Sequence, residues 1–91
     1  MTAIIQYKLI LMTRQVLLLP KNAKIRKLAC IGRDRITLWA EVDTAQENEM
    51  RHFYIVGADE EMDEKIVKNY LDTVVMTDDI FVWHIYEILN P

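Results

Sequence analysis

The apolar residues of this chain recur with period two, in short runs broken by turn formers, and that pattern commits it to strands rather than helices. Ile5, Tyr7, Leu9 and Leu11 alternate with Gln6, Lys8 and Ile10, which predicts a strand with one face inward, broken at Thr13-Arg14. Residues 15–19 read as a second strand. Pro20 cannot donate to a ladder and Lys21-Asn22 accept a turn, so they end it. A third strand is expected over 25–31. Gly32-Arg33-Asp34 then supplies hairpin chemistry before Ile36, Leu38, Ala40 and Val42 resume the alternation.

Residues 43–50 carry no strand pattern and read as a polar loop. Phe53, Tyr54, Ile55 and Val56 form a strand that stops at Gly57. One helical signal follows. Asp59 suits an N-cap, acids crowd the first turn, and Met62, Ile66 and Tyr70 repeat at four-residue spacing, predicting a short helix over about 60–69. Residues 71–76 and 80–88 are expected to pair around Thr77-Asp78-Asp79. The expected fold is therefore mainly β, a small antiparallel sandwich or partly open barrel of seven strands with one short helix, formed by residues 1–91 as a single domain.

Composition bounds the setting. An apolar fraction of 52% with 27% charged residues argues for a folded chain rather than a disordered one. The single cysteine, Cys30, makes no internal disulfide and has apolar neighbours, which points to a thiol in a reducing compartment and to the cytoplasm. No apolar run approaches the roughly 18 residues of a spanning helix, and Lys8 interrupts the first, so neither a membrane partner nor secretion is expected.

Several stretches have a familiar cast: Leu19-Pro20-Lys21-Asn22-Ala23-Lys24-Ile25, Ile36-Thr37-Leu38-Trp39-Ala40-Glu41-Val42-Asp43, Arg51-His52-Phe53-Tyr54-Ile55-Val56-Gly57, Tyr70-Leu71-Asp72-Thr73 and Phe81-Val82-Trp83-His84-Ile85-Tyr86-Glu87. Across nearly the whole length the chain resembles a family of small uncharacterised proteins encoded by tailed phages and prophages. The resemblance implies a single small domain of phage origin. It carries no enzymatic activity and no functional residues onto these positions.

Charge is split along the sequence. Residues 1–40 hold eight basic side chains (Lys8, Arg14, Lys21, Lys24, Arg26, Lys27, Arg33, Arg35) against Asp34 alone, whereas the thirteen acids of 41–91 face only Arg51, Lys65 and Lys68. Such a division steers partners more than it directs a fold. Catalysis finds little to use. There is no serine, the only Cys and His residues are Cys30, His52 and His84, and two glycines make no phosphate cradle. Asp59-Glu60-Glu61-Met62-Asp63-Glu64 concentrates carboxylates but lacks the alternate ligands and central glycine of a calcium loop, so no metal or cofactor is expected.

Three readings follow. The first is a non-enzymatic protein-binding module that acts on a host or phage protein. Its acidic surface would comprise Glu60, Glu61, Asp63 and Glu64 with Glu47, Glu49, Asp78 and Asp79, and Trp39 would serve as an aromatic anchor. The two apolar faces of the 80–88 strand also raise a homodimer. The second is a binder of a phosphate-bearing ligand or nucleic acid. Lys24, Arg26, Lys27, Arg33 and Arg35 would hold phosphate and Trp39 or Trp83 would stack a base. Strand alternation turns Lys27 away from Lys24 and Arg26 unless a bulge intervenes at Arg26-Lys27. The third is a structural virion or assembly component.

Overall fold

Alternation of buried and exposed residues runs through the computed structural model, which describes residues 1–32, 35–76 and 81–91. Among them the chain forms β1 (Thr2–Leu9), β2 (Arg14–Pro20), β3 (Lys24–Ile31), β4 (Arg35–Asp43), β5 (Asn48–Gly57), β6 (Lys68–Val75) and β7 (Val82–Ile88). Every pairing is antiparallel. A three-stranded sheet has the order β1-β4-β3 and a four-stranded sheet the order β2-β5-β7-β6. The expected all-β antiparallel sandwich is therefore present, and the two sheets do not close into a barrel.

The inner faces meet in one apolar core. Leu9, Leu28, Ile36, Leu38, Ala40 and Val42 enter it from the three-stranded sheet, and Leu19, Phe53, Ile55, Val74 and Ile85 from the four-stranded one. Deep burial of these aliphatic and aromatic side chains is the main driving force for a domain of this size. A second, smaller cluster lies on the outside of the four-stranded sheet, where Tyr54, Val56 and Ile88 are covered by Ile66 and flanked by Tyr86. The cover is the 58–67 segment. β5 and β6 both run antiparallel to the β7 between them, so this segment must cross over β7, and it does so on the outer face. That crossing answers the demand of the two-sided apolar β7 within one copy of the chain.

The short helix expected over 60–69 is absent. Asp59 takes a left-handed φ of 64°, the Asp63 carboxylate accepts the Lys65 amide at 2.9 Å, and β6 has begun by Lys68. A helix here would set Asp59 against Asp63 and Glu60 against Glu64 at four-residue spacing, and a helix this short has little stability of its own. Asn90 fastens the crossover instead, accepting the Val67 amide at 2.8 Å and donating to the Lys65 carbonyl at 3.2 Å. The Met62, Ile66, Tyr70 spacing joins a half-exposed side chain, an inward plug and a strand residue.

The polar loop expected at 43–50 shrinks to 44–47, because β4 runs through Asp43 and β5 starts at Asn48. The first strand spans Thr2–Leu9 rather than 5–11, with Ala3, Ile5, Tyr7 and Leu9 on the more buried face. Arg33-Asp34 of the hairpin, which Gly32 enters with φ 75°, and the Thr77-Asp78-Asp79 turn lie outside the described residues.

Polar side chains sit inside the sandwich at one end. Arg51 and Glu87 occupy inward positions of β5 and β7, with side chains only 16% and 15% exposed, and form a bidentate pair: Nε to Oε2 at 2.6 Å and Nη2 to Oε1 at 2.7 Å. The remaining guanidinium nitrogen donates to the Ala23 carbonyl at 2.6 Å. One side chain thus joins two strands of the four-stranded sheet to the turn that leads into β3. The Glu87 hydrogen bonds and charge raise the Arg51 pKa further above its ordinary value, so the guanidinium stays charged at all working pH. At the end of the central strand β4, Asp43 accepts the Ala45 amide at 3.0 Å and lies 3.3 Å from the amino terminus, contacts that lower its pKa.

In urea denaturation, Arg51→Ala is expected to cost about 3 kcal/mol by leaving Glu87 buried and unpaired, with Arg51→Lys, which keeps charge but not the fork, falling between. A loss for Arg51→Ala no larger than that of an exposed surface substitution would contradict the assignment. Because the folded pKa of Asp43 is depressed, its contribution is present above the unfolded value of about 4 and fades as pH falls through the folded one. Asp43→Asn should lower the Tm at pH 7 and make little difference near pH 2.

Candidate functional site

Strand alternation sorts the basic residues before any ligand is considered. In the three-stranded sheet Ile36, Leu38, Ala40 and Val42 point to the core, which leaves Arg35, Thr37, Trp39 and Glu41 on the outer face of its central strand β4. Gln6 and Lys27 flank Trp39 across the ladders, Ile4 and Lys24 flank Glu41, and Lys8 and Ala29 flank Thr37. Directly opposed residues stand about 5 Å apart. Trp39 is half-buried at the middle of this face, while Lys8, Lys24, Lys27 and Arg35 are exposed around it.

The placement of Lys27 depends on a bulge. The β3–β4 register jumps between Ile25 and Lys27, so the extra residue Arg26 is absorbed and Lys27 comes to the same face as Lys24. Arg26 reaches back to Glu41, with Nη2 and Oε1 3.3 Å apart, and so offsets the face's central carboxylate. Among the described residues Lys8, Lys24, Lys27 and Arg35 form no ion pair. Arg33 lies outside the described residues. Lys8 was not among the expected site residues, since it is far from 21–35 in sequence. Its outward parity on β1 was the available signal.

Two hollows border the face. Lys8, Leu9, Ile10, Leu11 and Arg35 line an open groove of about 480 Å³ at one end. On the β3 side, Arg26 and Lys27 face Tyr70, Leu71 and Asp72 across a cleft of about 260 Å³. The walls of that cleft are the β3 bulge and a second bulge in β6 between Tyr70 and Asp72. Each hollow therefore has two cationic side chains in its wall. Nearby, Tyr70 and Thr73 share a hydroxyl–hydroxyl hydrogen bond, and Thr73 Oγ1 lies 2.9 Å from His84 Nδ1.

The acidic residues collect elsewhere. Asp59, Glu60, Glu61, Asp63 and Glu64 are all exposed on the crossover that covers the outside of the four-stranded sheet. They and Trp39 lie on opposite outer faces, so the expected protein-binding set is not brought together. Glu47 is on the exposed 44–47 turn. Glu49 is half-buried on the inward parity of β5, opposite Leu19, and Asp78 and Asp79 lie outside the described residues. Among the described residues no three His, Cys, Asp or Glu side chains converge on a common point.

Trp83, the other candidate for stacking, turns inward. It packs against the main core from β7, with Phe81 stacked on it at a centroid distance of 6.4 Å, and its buried Nε1 has no hydrogen-bond partner among the described residues. Cys30 packs against the core from β3, its Sγ 3.2 Å from Met76 Sδ, while His84 lies on the outer parity of the four-stranded sheet. The Cys30–His84 encounter a thiol nucleophile would need does not occur. Among the described residues no helix is long and apolar enough to cross a membrane.

No curated protein and no solved structure matches the chain. Strands run from end to end of the sequence, and so does a family match: residues 1–90 match Domain of unknown function (DUF7352), and the chain belongs to that family.

Proposed function

We propose that this chain is a binding module whose outer three-stranded face takes a phosphate-bearing aromatic ligand, either a nucleotide or a short single strand of nucleic acid. The observation that carries the reading is the half-buried Trp39 on the same outer face as Lys8, Lys24, Lys27 and Arg35, four exposed cations with no ion pair among the described residues. An indole on an open sheet offers a stacking platform of about 1–3 kcal/mol per base, independent of sequence. Cations spaced along neighbouring strands suit phosphates that leave a stacked base in both directions, and the hollows at either side extend the track. The overall acidity of the chain, with a pI near 5.3, does not oppose this, because five of its carboxylates are held on the crossover over the other outer face and Arg26 offsets Glu41.

A second reading, a protein-binding module that presents the acidic 59–64 crossover to a basic partner, is favoured by one observation. Five carboxylates are held out on a segment anchored by Ile66 and Asn90. In the phage setting that the sequence resemblance implies, that partner would be a host protein.

Titrating oligothymidylate, ATP and inorganic polyphosphate against the intrinsic fluorescence tests the first reading, since Trp39 lies on the proposed binding face while Trp83 packs against the core. Oligothymidylate should quench and bind in a salt-dependent manner, Lys24→Glu with Lys27→Glu should weaken it at least about tenfold, and Trp39→Ala should remove the preference over polyphosphate. Amide chemical shifts from the same titration should move at Lys24, Lys27 and Trp39. Shifts confined to 59–64 with a lysine-rich peptide, and none with any anion, would replace the first reading by the second.

A further inference from the structure

The four sheet edges are not alike. β3 and β6 carry bulges and charged side chains, Lys24, Arg26 and Lys27 on one and Lys68 and Asp72 on the other. β1 carries Lys8 and exposes one large apolar side chain, Ile4. β2 carries its one charge, Arg14, at its first position and has no bulge. From Gln15 to Pro20 it has no charge and no break in register, and it pairs on one side only. Bulges and charges are how proteins keep sheet edges from pairing, and an edge without them is a template for another strand.

The backbone direction can be read from the flanks of β2. Thr13 accepts the Ile55 amide at 2.9 Å and Lys21 donates to the Glu47 carbonyl at 2.9 Å, so odd-numbered residues point their polar backbone groups toward β5. By the alternation of an antiparallel ladder, Arg14, Val16 and Leu18 direct theirs away from the sheet. On the outer face the side chains at this edge are apolar and open: Val16 is 47% exposed, Leu18 58%, and Met50, opposite Leu18, 67%.

We infer that β2 pairs with β2 of a second copy of this chain, antiparallel about a two-fold axis at Leu17. In that register Val16 of one copy and Leu18 of the other exchange both backbone hydrogen bonds. Arg14 donates to the Pro20 carbonyl, where the missing proline N–H ends the ladder, and the two Arg14 side chains stand at opposite ends. The self-complementarity selects a second copy over an unrelated strand: each Val16 meets a Leu18, Met50 extends the apolar row on both sides, and no like charges face one another. A continuous eight-stranded sheet results.

Light scattering on the purified chain over a concentration series tests this. The expected mass is twice 10.8 kDa, falling on dilution as suits a small interface. Leu18→Lys and Val16→Lys, both at exposed positions, should each give the monomer mass with the circular dichroism of a folded β protein. Ile4→Lys on the other apolar-bearing edge should leave the dimer intact. A monomer at all concentrations up to about 1 mM would overturn the inference and leave β2 to a strand from another protein. So would a dimer that survives Leu18→Lys, or one that Ile4→Lys abolishes.

Discussion

The guanidinium of Arg51 is the constraint on which the arrangement of the two sheets rests. It lies between the sheets, where an unpaired charge is not tolerated, and each of its three nitrogens donates a hydrogen bond: two to the oxygens of Glu87 and one to the carbonyl of Ala23. Only a planar fork serves both partners at once, because an ammonium would satisfy one of them well and the other poorly. Ala23 immediately precedes Lys24. The bond that closes the sandwich at this end therefore also fixes where β3 starts, and with it the register in which Lys24 meets Glu41 and, past the bulge, Lys27 meets Trp39.

A second consequence concerns the separation of charge. β7 is apolar on both faces, so a segment of the chain has to lie over its outer side. Ile66 is the apolar plug of the crossover that does so, and Asp59, Glu60, Glu61, Asp63 and Glu64 are exposed to water. Acids accumulate there without cost to packing, while the outer face of the three-stranded sheet keeps its exposed cations. Lys8, Lys24, Lys27 and Arg35 share one outer face and the carboxylates of 59–64 the other because β1, β3 and β4 form one sheet and the acidic crossover serves the other. Opposed faces of this kind orient an approaching charged ligand before contact is made.

The strands and their faces were legible wherever inward residues were apolar, as in Ile36, Leu38, Ala40 and Val42. They were illegible at 48–52, where the inward residues are Glu49 and Arg51 and the outward ones Met50 and His52, so that period and polarity conflict. The helix expected at 60–69 rested on a spacing that the crossover satisfies for other reasons. Of the site, the two cations on either side of the Arg26 bulge could be read from sequence. The contribution of Lys8 could not, because it depends on β1 pairing with β4 across most of the first half of the chain. Nor could the different fates of Trp39 and Trp83, since both sit in alternating runs and only the identity of the opposing sheet decides which is covered.

The geometry of an edge-paired dimer bears on the ligand face. A two-fold axis through Leu17, perpendicular to the joined sheet, reverses strand direction but leaves each face of the sandwich on its own side. Both Trp39 platforms would then look the same way, with the Lys8 and Arg35 hollows of the two copies on one surface. A single strand long enough to visit both platforms would gain from effective concentration with no new contact, whereas a mononucleotide would gain nothing. Dependence of affinity on ligand length is thus where the self-pairing of β2 and the chemistry of the Trp39 face would meet, and Leu18→Lys, which touches neither Trp39 nor the cations around it, would remove that dependence while leaving binding of the short ligand unchanged.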